Sequence, residues 1–299
     1  MNHDFKALQI KARQQVYTLL SGNNLSKLHG EGYDFSELRE YQQGDDIRKI
    51  NWTISAKLGR PYIKELHANR ELSVVVATLC DGSLYFGFDS NMGNDGFSLA
   101  SFGAKASDSN KPNRKQTTLT EVATTLAYAT QQQGDLFQGI SYTQNQTYTT
   151  PPTKQLYHIE EFSKTLFKTK LLATKLNHQK SIDNLFRQIH KPSLVFIISD
   201  FLNDIDLSLL AQKHEVVAII IRDRAEENPK KLGEVTLNSP THNLQLDTFF
   251  GKRSIQRYKE KLIEHDNKLI EQFGTFGVRY IKIFTDEEVL GKLIQPCTV

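Results

Sequence analysis

The sequence predicts an α/β fold in three layers, with a mostly parallel central sheet covered by helices on both faces. Three observations predict it. The runs ELSVVVATLC, SLVFIISD and HEVVAIII are continuously apolar and rich in β-branched residues, as strands buried on both faces are. Between them lie segments whose apolar residues recur at helical spacing. Strand and helix patterns alternate along the chain, the order that builds a parallel sheet through crossover connections.

Taken in order, residues 4–20 place Phe5, Leu8, Val16, Leu19 and Leu20 on one helical face, and SGNN breaks that helix. The stretch GYDFSELREYQQGDDIRKINW follows, then RPYIKEL, and an extended, hairpin-like elaboration outside the sheet is expected there. Strands are predicted at 72–79, 136–142, 194–199 and 215–221, with 278–284 nearer an edge. TLTEVATTLAYATQQQG reads as a helix ending at Gly134. KQLYHIEEFSKTLF sets Leu156, Ile159, Phe162 and Leu166 at helical spacing, and SIDNLFRQIH and DIDLSLLAQK give two more helices. KLGEVTLN and NLQLDTFF form a hairpin pattern, SIQRYKEKLIEHDNKLIEQF a long amphipathic helix, and DEEVLGKLI a closing one.

Two parts are expected. Residues 1–70 hold the N-terminal helix and the charged stretch, and 71–299 hold the α/β domain. Within the latter, 88–115 turns to Gly, Ser, Asn, Asp and Lys and is read as a disordered insertion, since ordinary loops take about 4–6 residues.

The 299 residues carry 37 Lys and Arg against 34 Asp and Glu, a formal charge of +3. Basic residues interleave with acids, so no nucleic-acid footprint is present. Cys80 ends an apolar run and Cys297 lies far from it, which implies no disulfide framework. No stretch approaches the ~20 apolar residues of a membrane span, and the N-terminus lacks a signal-peptide core. A cytoplasmic protein is expected.

Chemistry is expected where strands end, because open α/β sheets gather ligands there. Two buried runs end in aspartate, Asp81 and Asp200. If their strands are neighbours, the two carboxylates and Ser83 form a shallow cleft of hard oxygens suited to Mg²⁺. The competing reading is that each Asp caps the turn that follows it.

The residues beyond this carry a resemblance. DGSLY resembles the Asp-x-Ser-x-Ser signature of von Willebrand factor type A domains, and ISDF their later metal-site aspartate. Gly30, Gly32, Phe35, Arg39, Glu40, Tyr41, Gly44, Asp45, Asp46, Arg48, Ile50 and Trp52 match the signature of the bacterial domain-of-unknown-function family 58, and Ser55, Ala56 and Gly59 continue it. The resemblance spans roughly residues 20–285. It implies a von Willebrand-type domain with a metal-ion-dependent adhesion site at Asp81, Ser83 and Asp200, working with MoxR-type AAA+ ATPases. Tyr85 stands where the family has a ligand serine, so Mg²⁺ is expected to bind weakly or not at all. A threonine usually completes such a site, and Thr149, Thr150 and Thr153 are the candidates.

In the signature itself, Arg39 and Arg48 match Glu40, Asp45 and Asp46 as forked donors to carboxylates. Gly44 suits a tight turn. Ile50 and Trp52 supply apolar anchors on an extended segment. The stretch serves as a staple, a recognition surface for a protein partner, or both. The expected split buries Asp46 and Trp52 and exposes Glu37, Gln42 and Gln43. His29, His67 and His158 have no partners at metal-ligand spacing, and RDRAEENP reads as a polar exit loop.

Two functions of different class follow. One is a non-enzymatic protein-binding module, partner or adaptor of a MoxR-type ATPase. The other is a Mg²⁺-dependent phosphatase-like hydrolase with Asp81 as nucleophile, weakened because Leu79 and Ser83 stand where a second carboxylate is needed. A structural scaffold with an empty metal site is the third alternative.

Overall fold

The computed structural model describes residues 7–9, 11–12, 37–42, 45, 47, 50, 52–65, 72–85, 114–231, 233–242 and 244–294. Strand β1 (Glu37–Glu40) pairs antiparallel with β2 (Tyr62–Glu65), and helix α1 (Trp52–Leu58) lies between them in the chain. The central sheet holds β3 (Ser73–Leu79), β4 (Leu136–Tyr142), β5 (Thr147–Thr149), β6 (Leu194–Ser199), β7 (Glu215–Arg222) and β10 (Arg279–Phe284). Its order is β10-β7-β6-β3-β4-β5, parallel except for β5. A separate antiparallel hairpin joins β8 (Gly233–Asn238) to β9 (Gln245–Phe250).

The predicted strands fall within about a residue of those observed, and β3 and β6 are neighbours, with Ala77 beside Ile197 in register. The reason is visible in the side chains. Along β3, Val74 and Val76 face one core while Val75, Ala77 and Leu79 face the other. β6 and β7 repeat this alternation, so neither face of these strands meets water.

Helices supply the two outer layers. Helix α2 (Arg114–Gln132), α3 (Leu156–Lys168) and α8 (Val289–Ile294) cover one face through Leu119, Phe162 and Leu293. Helix α4 (His178–Gln188), α5 (Ser208–Lys213) and α7 (Lys252–Phe276) cover the other through Leu185, Leu210 and Phe273. A four-residue helix α6 (Arg224–Glu227) follows β7. Gly277, at φ +67, ends α7 in the left-handed conformation that glycine adopts without penalty.

Three expectations change. Helix α2 begins at Arg114, so Arg114 and Lys115 belong to the helix and not to the insertion; 86–113 lie outside the described residues. Trp52 opens a helix rather than extending a strand. The polar exit loop after β7 is helical, because Asp223 and Glu226 close a capping box on it. Among the described residues no helix is long and apolar enough to cross a membrane.

Candidate functional site

The chain enters the sheet at β3, adds β4 on one side, then returns to place β6 on the other. The switch point therefore falls between β3 and β6, where an open α/β sheet leaves its crevice. Asp81 follows β3 and Asp200 follows β6.

Asp81 caps the short 3₁₀ turn Gly82–Leu84. Its Oδ1 accepts from the Ser83 amide at 2.9 Å and also from the Ser83 hydroxyl. Its Oδ2 lies 3.0 Å from Nε2 of His178, the first residue of α4, which the Asn177 cap sets in place. Asp200 Oδ1 accepts from the Leu202 amide at 3.3 Å, and the Ser83 side chain engages this carboxylate too. The structure thus brings Asp81, Ser83 and Asp200 together, and both aspartates also make the local turn bonds expected of caps.

A cation already stands among them. Lys115, in the first turn of α2, sends Nζ to Asp200 Oδ2 at 2.9 Å, Glu226 Oε1 at 2.8 Å and the Ser83 carbonyl at 3.1 Å. An ammonium has three N–H donors, and here each has an acceptor. Glu226 is held in turn, its Oε2 accepting from the Asp223 amide at 3.1 Å within the capping box. Beyond it Thr285 donates to Asp223 at 2.6 Å, and buried Arg222 donates to Asp266 at 2.9 Å.

None of this reaches solvent freely. Lys115 and Asp200 are 0% exposed, Asp81 1%, His178 3% and Glu226 5%, so the expected shallow cleft is a closed, charged interior. Burial disfavours the ionised form of Asp200, but the Lys115 ammonium, hydrogen bonds from Ser83 and Lys115, and Arg222 outweigh it and hold the carboxyl at about 2. Burial likewise works against the Lys115 charge, yet Asp200 and Glu226 together push its pKa up. Burial raises Glu226, and the Asp200 charge adds to the rise that Lys115 only partly offsets. Attraction to Lys115 alone would lower both acids, so Asp200 is the more firmly ionised partner.

These residues do not fit a divalent ion as they stand. Mg²⁺ demands free carboxylate oxygens in near-octahedral array and keeps several waters. Here all four oxygens of Asp81 and Asp200 have partners within the chain, and the ammonium lies against Asp200. The three threonines are engaged elsewhere: Thr150 accepts from the Gly139 amide, Thr149 from Gln188 and Thr153 from the Gln155 amide. Tyr85 caps the 3₁₀ turn through its backbone.

The crevice also carries a neighbour. Gly82 donates to the Thr174 carbonyl at 2.9 Å, and a Cβ on it would fall 2.0 Å from the Pro240 carbonyl oxygen. The tip of the β8–β9 hairpin thus packs on the Asp81 turn. Phe201, just after Asp200, takes φ +49, and its carbonyl accepts from His265 at 2.8 Å. That left-handed backbone is strained for a phenylalanine, and the buried ring against Phe273 holds it there.

The signature stretch lies apart from this interior. Arg39 and Glu40 sit on β1 opposite Ile63 and Tyr62, Glu40 pairs with Arg60 at 3.1 Å, and the Tyr41 amide donates to the Pro61 carbonyl at 2.8 Å. Asp45 closes a turn by accepting from the Gln42 amide at 2.8 Å. Gln42 is exposed as expected. Gly44, Asp46, Arg48 and Gln43 lie outside the described residues, as do the side chains of Glu37 and Arg39. Trp52, expected to be buried, is 67% exposed. The pin is Ser55 instead: it is 8% exposed and its hydroxyl accepts from the Tyr62 amide at 2.8 Å, tying α1 to β2.

Sequence reasoning did not single out Lys115, His178 or Glu226. Two had a legible trace, the Asp-x-x-Glu capping box at Asp223 and Glu226 and the Asn177 cap before His178. Lys115 had none, since a cation in a helix's first turn opposes the helix dipole.

Fold and site define a mixed α/β protein of Rossmann-like, three-layer build, with paired strand-end aspartates closed over by a lysine. The family model described as "Protein of unknown function DUF58" matches residues 37–101 and 92–268, and the chain belongs to that family. It is 25% identical over 294 residues to the uncharacterized protein Rv1480 of Mycobacterium tuberculosis strain H37Rv, covering 97% of this chain and 86% of that one. The uncharacterized protein Mb1516 of Mycobacterium bovis matches with the same figures. Among solved structures, the conserved hypothetical protein BatB of Bacteroides thetaiotaomicron is similar with a TM-score of 0.40 and 10% identity, over 75% of this chain and 96% of that one.

Proposed function

We propose that the protein is a non-enzymatic, cytoplasmic binding module that acts as partner or adaptor of a MoxR-type AAA+ ATPase in protein maturation or remodelling. The observation that carries this reading is the exposure of Trp52. It stands 67% exposed inside the family signature, with Ile47 at 61% and Leu58 at 57%. Exposed large apolar side chains on a charged segment are a mark of protein-binding surfaces, and tryptophan leads among interface hot spots. Glu40, Arg60 and Gln42 of the same segment are exposed as well.

The test is capture of the MoxR-type ATPase from the same organism by purified protein, measured as a dissociation constant. Trp52→Ala is expected to weaken capture about thirtyfold, the loss of a ~2 kcal/mol hot spot, with the melting temperature unchanged. A Trp52→Ala protein that melts early and still captures the ATPase would overturn the reading.

The hydrolase alternative needs an Asp81 carboxylate open to a phosphate ester. Its two oxygens are held by Ser83 and His178 at 1% exposure, which favours the binding reading. Turnover of a generic phosphate ester with Mg²⁺ that Asp81→Asn abolishes would restore it.

A further inference from the structure

We propose that the ε-ammonium of Lys115, held by Asp200, Glu226 and the Ser83 carbonyl, is the resident cation beside the two strand-end aspartates, so that the protein needs no divalent metal there. The von Willebrand-type resemblance also leads to Mg²⁺ binding that is weak or absent, but attributes it to Tyr85 in place of a ligand serine. The structure assigns it to another residue.

The argument is one of charge, position and valence. Two aspartates at the switch point of a sheet, both buried, require a positive partner, because isolated buried carboxylates do not stay ionised. Lys115 meets that need from a third element, the first turn of α2, taking an Asp200 oxygen that a metal would need and bonding the main-chain carbonyl of Ser83 rather than its hydroxyl. It carries one charge rather than two, and Asp81 is satisfied by hydrogen bonds from other groups. Asp81 takes the His178 ring and the Ser83 donors, contacts a bound metal would replace. Glu226 adds a third acceptor, so the ammonium is fully coordinated. A second cation at Asp200 would compete with the ammonium for one fully buried carboxylate, where charge repulsion is weakly screened.

The consequence is that no incoming acidic side chain completes a coordination sphere here, as it would on a metal-dependent adhesion site. This inference goes beyond the proposed partnership and does not depend on it, since its readout is metal binding by the isolated chain.

The experiment compares thermal unfolding in millimolar MgCl₂ or MnCl₂ with unfolding in excess EDTA, for the full-length parent, Lys115→Ala and Lys115→Ala/Asp81→Asn. The parent is expected to melt at one temperature in all three solutions. Lys115→Ala is expected to melt lower in EDTA and to recover about 5 °C or more in saturating metal, a recovery the double variant lacks. A parent whose melting temperature rises with metal, in a manner Asp81→Asn removes, overturns the proposal. So does a folded Lys115→Ala that ignores metal. Should Lys115→Ala fail to fold, titration calorimetry of the parent decides: no heat of Mn²⁺ binding upholds the proposal, and saturable binding that Asp81→Asn abolishes refutes it.

Discussion

Replacing Lys115 with methionine removes one charge while keeping an unbranched side chain of similar reach. Three hydrogen bonds of 2.8–3.1 Å are lost, and Asp200 and Glu226 remain buried without their shared cation. Breaking a buried ion pair from one side costs about 3–5 kcal/mol, most of it the stranded charge. At ~2–4 °C per kcal/mol for a chain approaching this size, the melting temperature near neutral pH should fall by about 6–20 °C. The deficit should also shrink as pH falls. Without the ammonium, both folded-state carboxyls move above their unfolded values, so the variant regains stability as they protonate. Melting curves at neutral pH and near pH ~5, read by circular dichroism, measure both effects. A Lys115→Met protein within about 2 °C of the parent, or one whose deficit grows in acid, would refute the reasoning.

Other outcomes are expected. Asp200 is held at about 2 against an ordinary 3.8, so its contribution is complete above the unfolded value and is lost as pH falls through the folded one. That is about 2 kcal/mol between pH 3.8 and about 2, and Asp200→Asn should remove this acid limb from the denaturant-measured stability curve. Glu226 acts with the opposite sign: its raised pKa means stability is gained as pH falls through it toward 4.5, and Glu226→Gln should flatten that rise. Gly82→Ala drives a Cβ into the Pro240 carbonyl and should cost about 1–3 kcal/mol in urea titrations by dislodging the hairpin tip from the Asp81 turn.

The sheet was legible because burial on both faces leaves a mark no loop imitates. VVVATL and LVFIIS admit no charged residue until the strand ends, and Asp81 and Asp200 then announce the end. The rule that ligands gather at strand ends singled out both aspartates, which the fold sets at the ends of neighbouring strands in a closed interior rather than a cleft. It did not reveal their partners. Lys115, His178 and Glu226 come from three elements, the Lys115–Ser83, His178–Asp81 and Lys115–Glu226 contacts spanning 32, 97 and 111 positions, and each resembles a solvated side chain in isolation. Lys115 was harder still, because it sits inside a run of polar residues and breaks the helix-dipole preference that marks helix starts. Trp52 misled for a different reason. Aromatic residues near charged turns usually anchor to a core, and only the folded chain shows that small Ser55 pins this segment while the indole faces out.

The measurement closest to the central claim is a crystal structure of the parent protein soaked in MnCl₂, with anomalous data collected at the manganese edge. Lys115 Nζ should be seen between Asp200, Glu226 and the Ser83 carbonyl, with no anomalous peak within coordination distance of Asp81, Ser83 or Asp200. A peak bridging Asp81 and Asp200, with the Lys115 side chain turned away from it, would contradict the account.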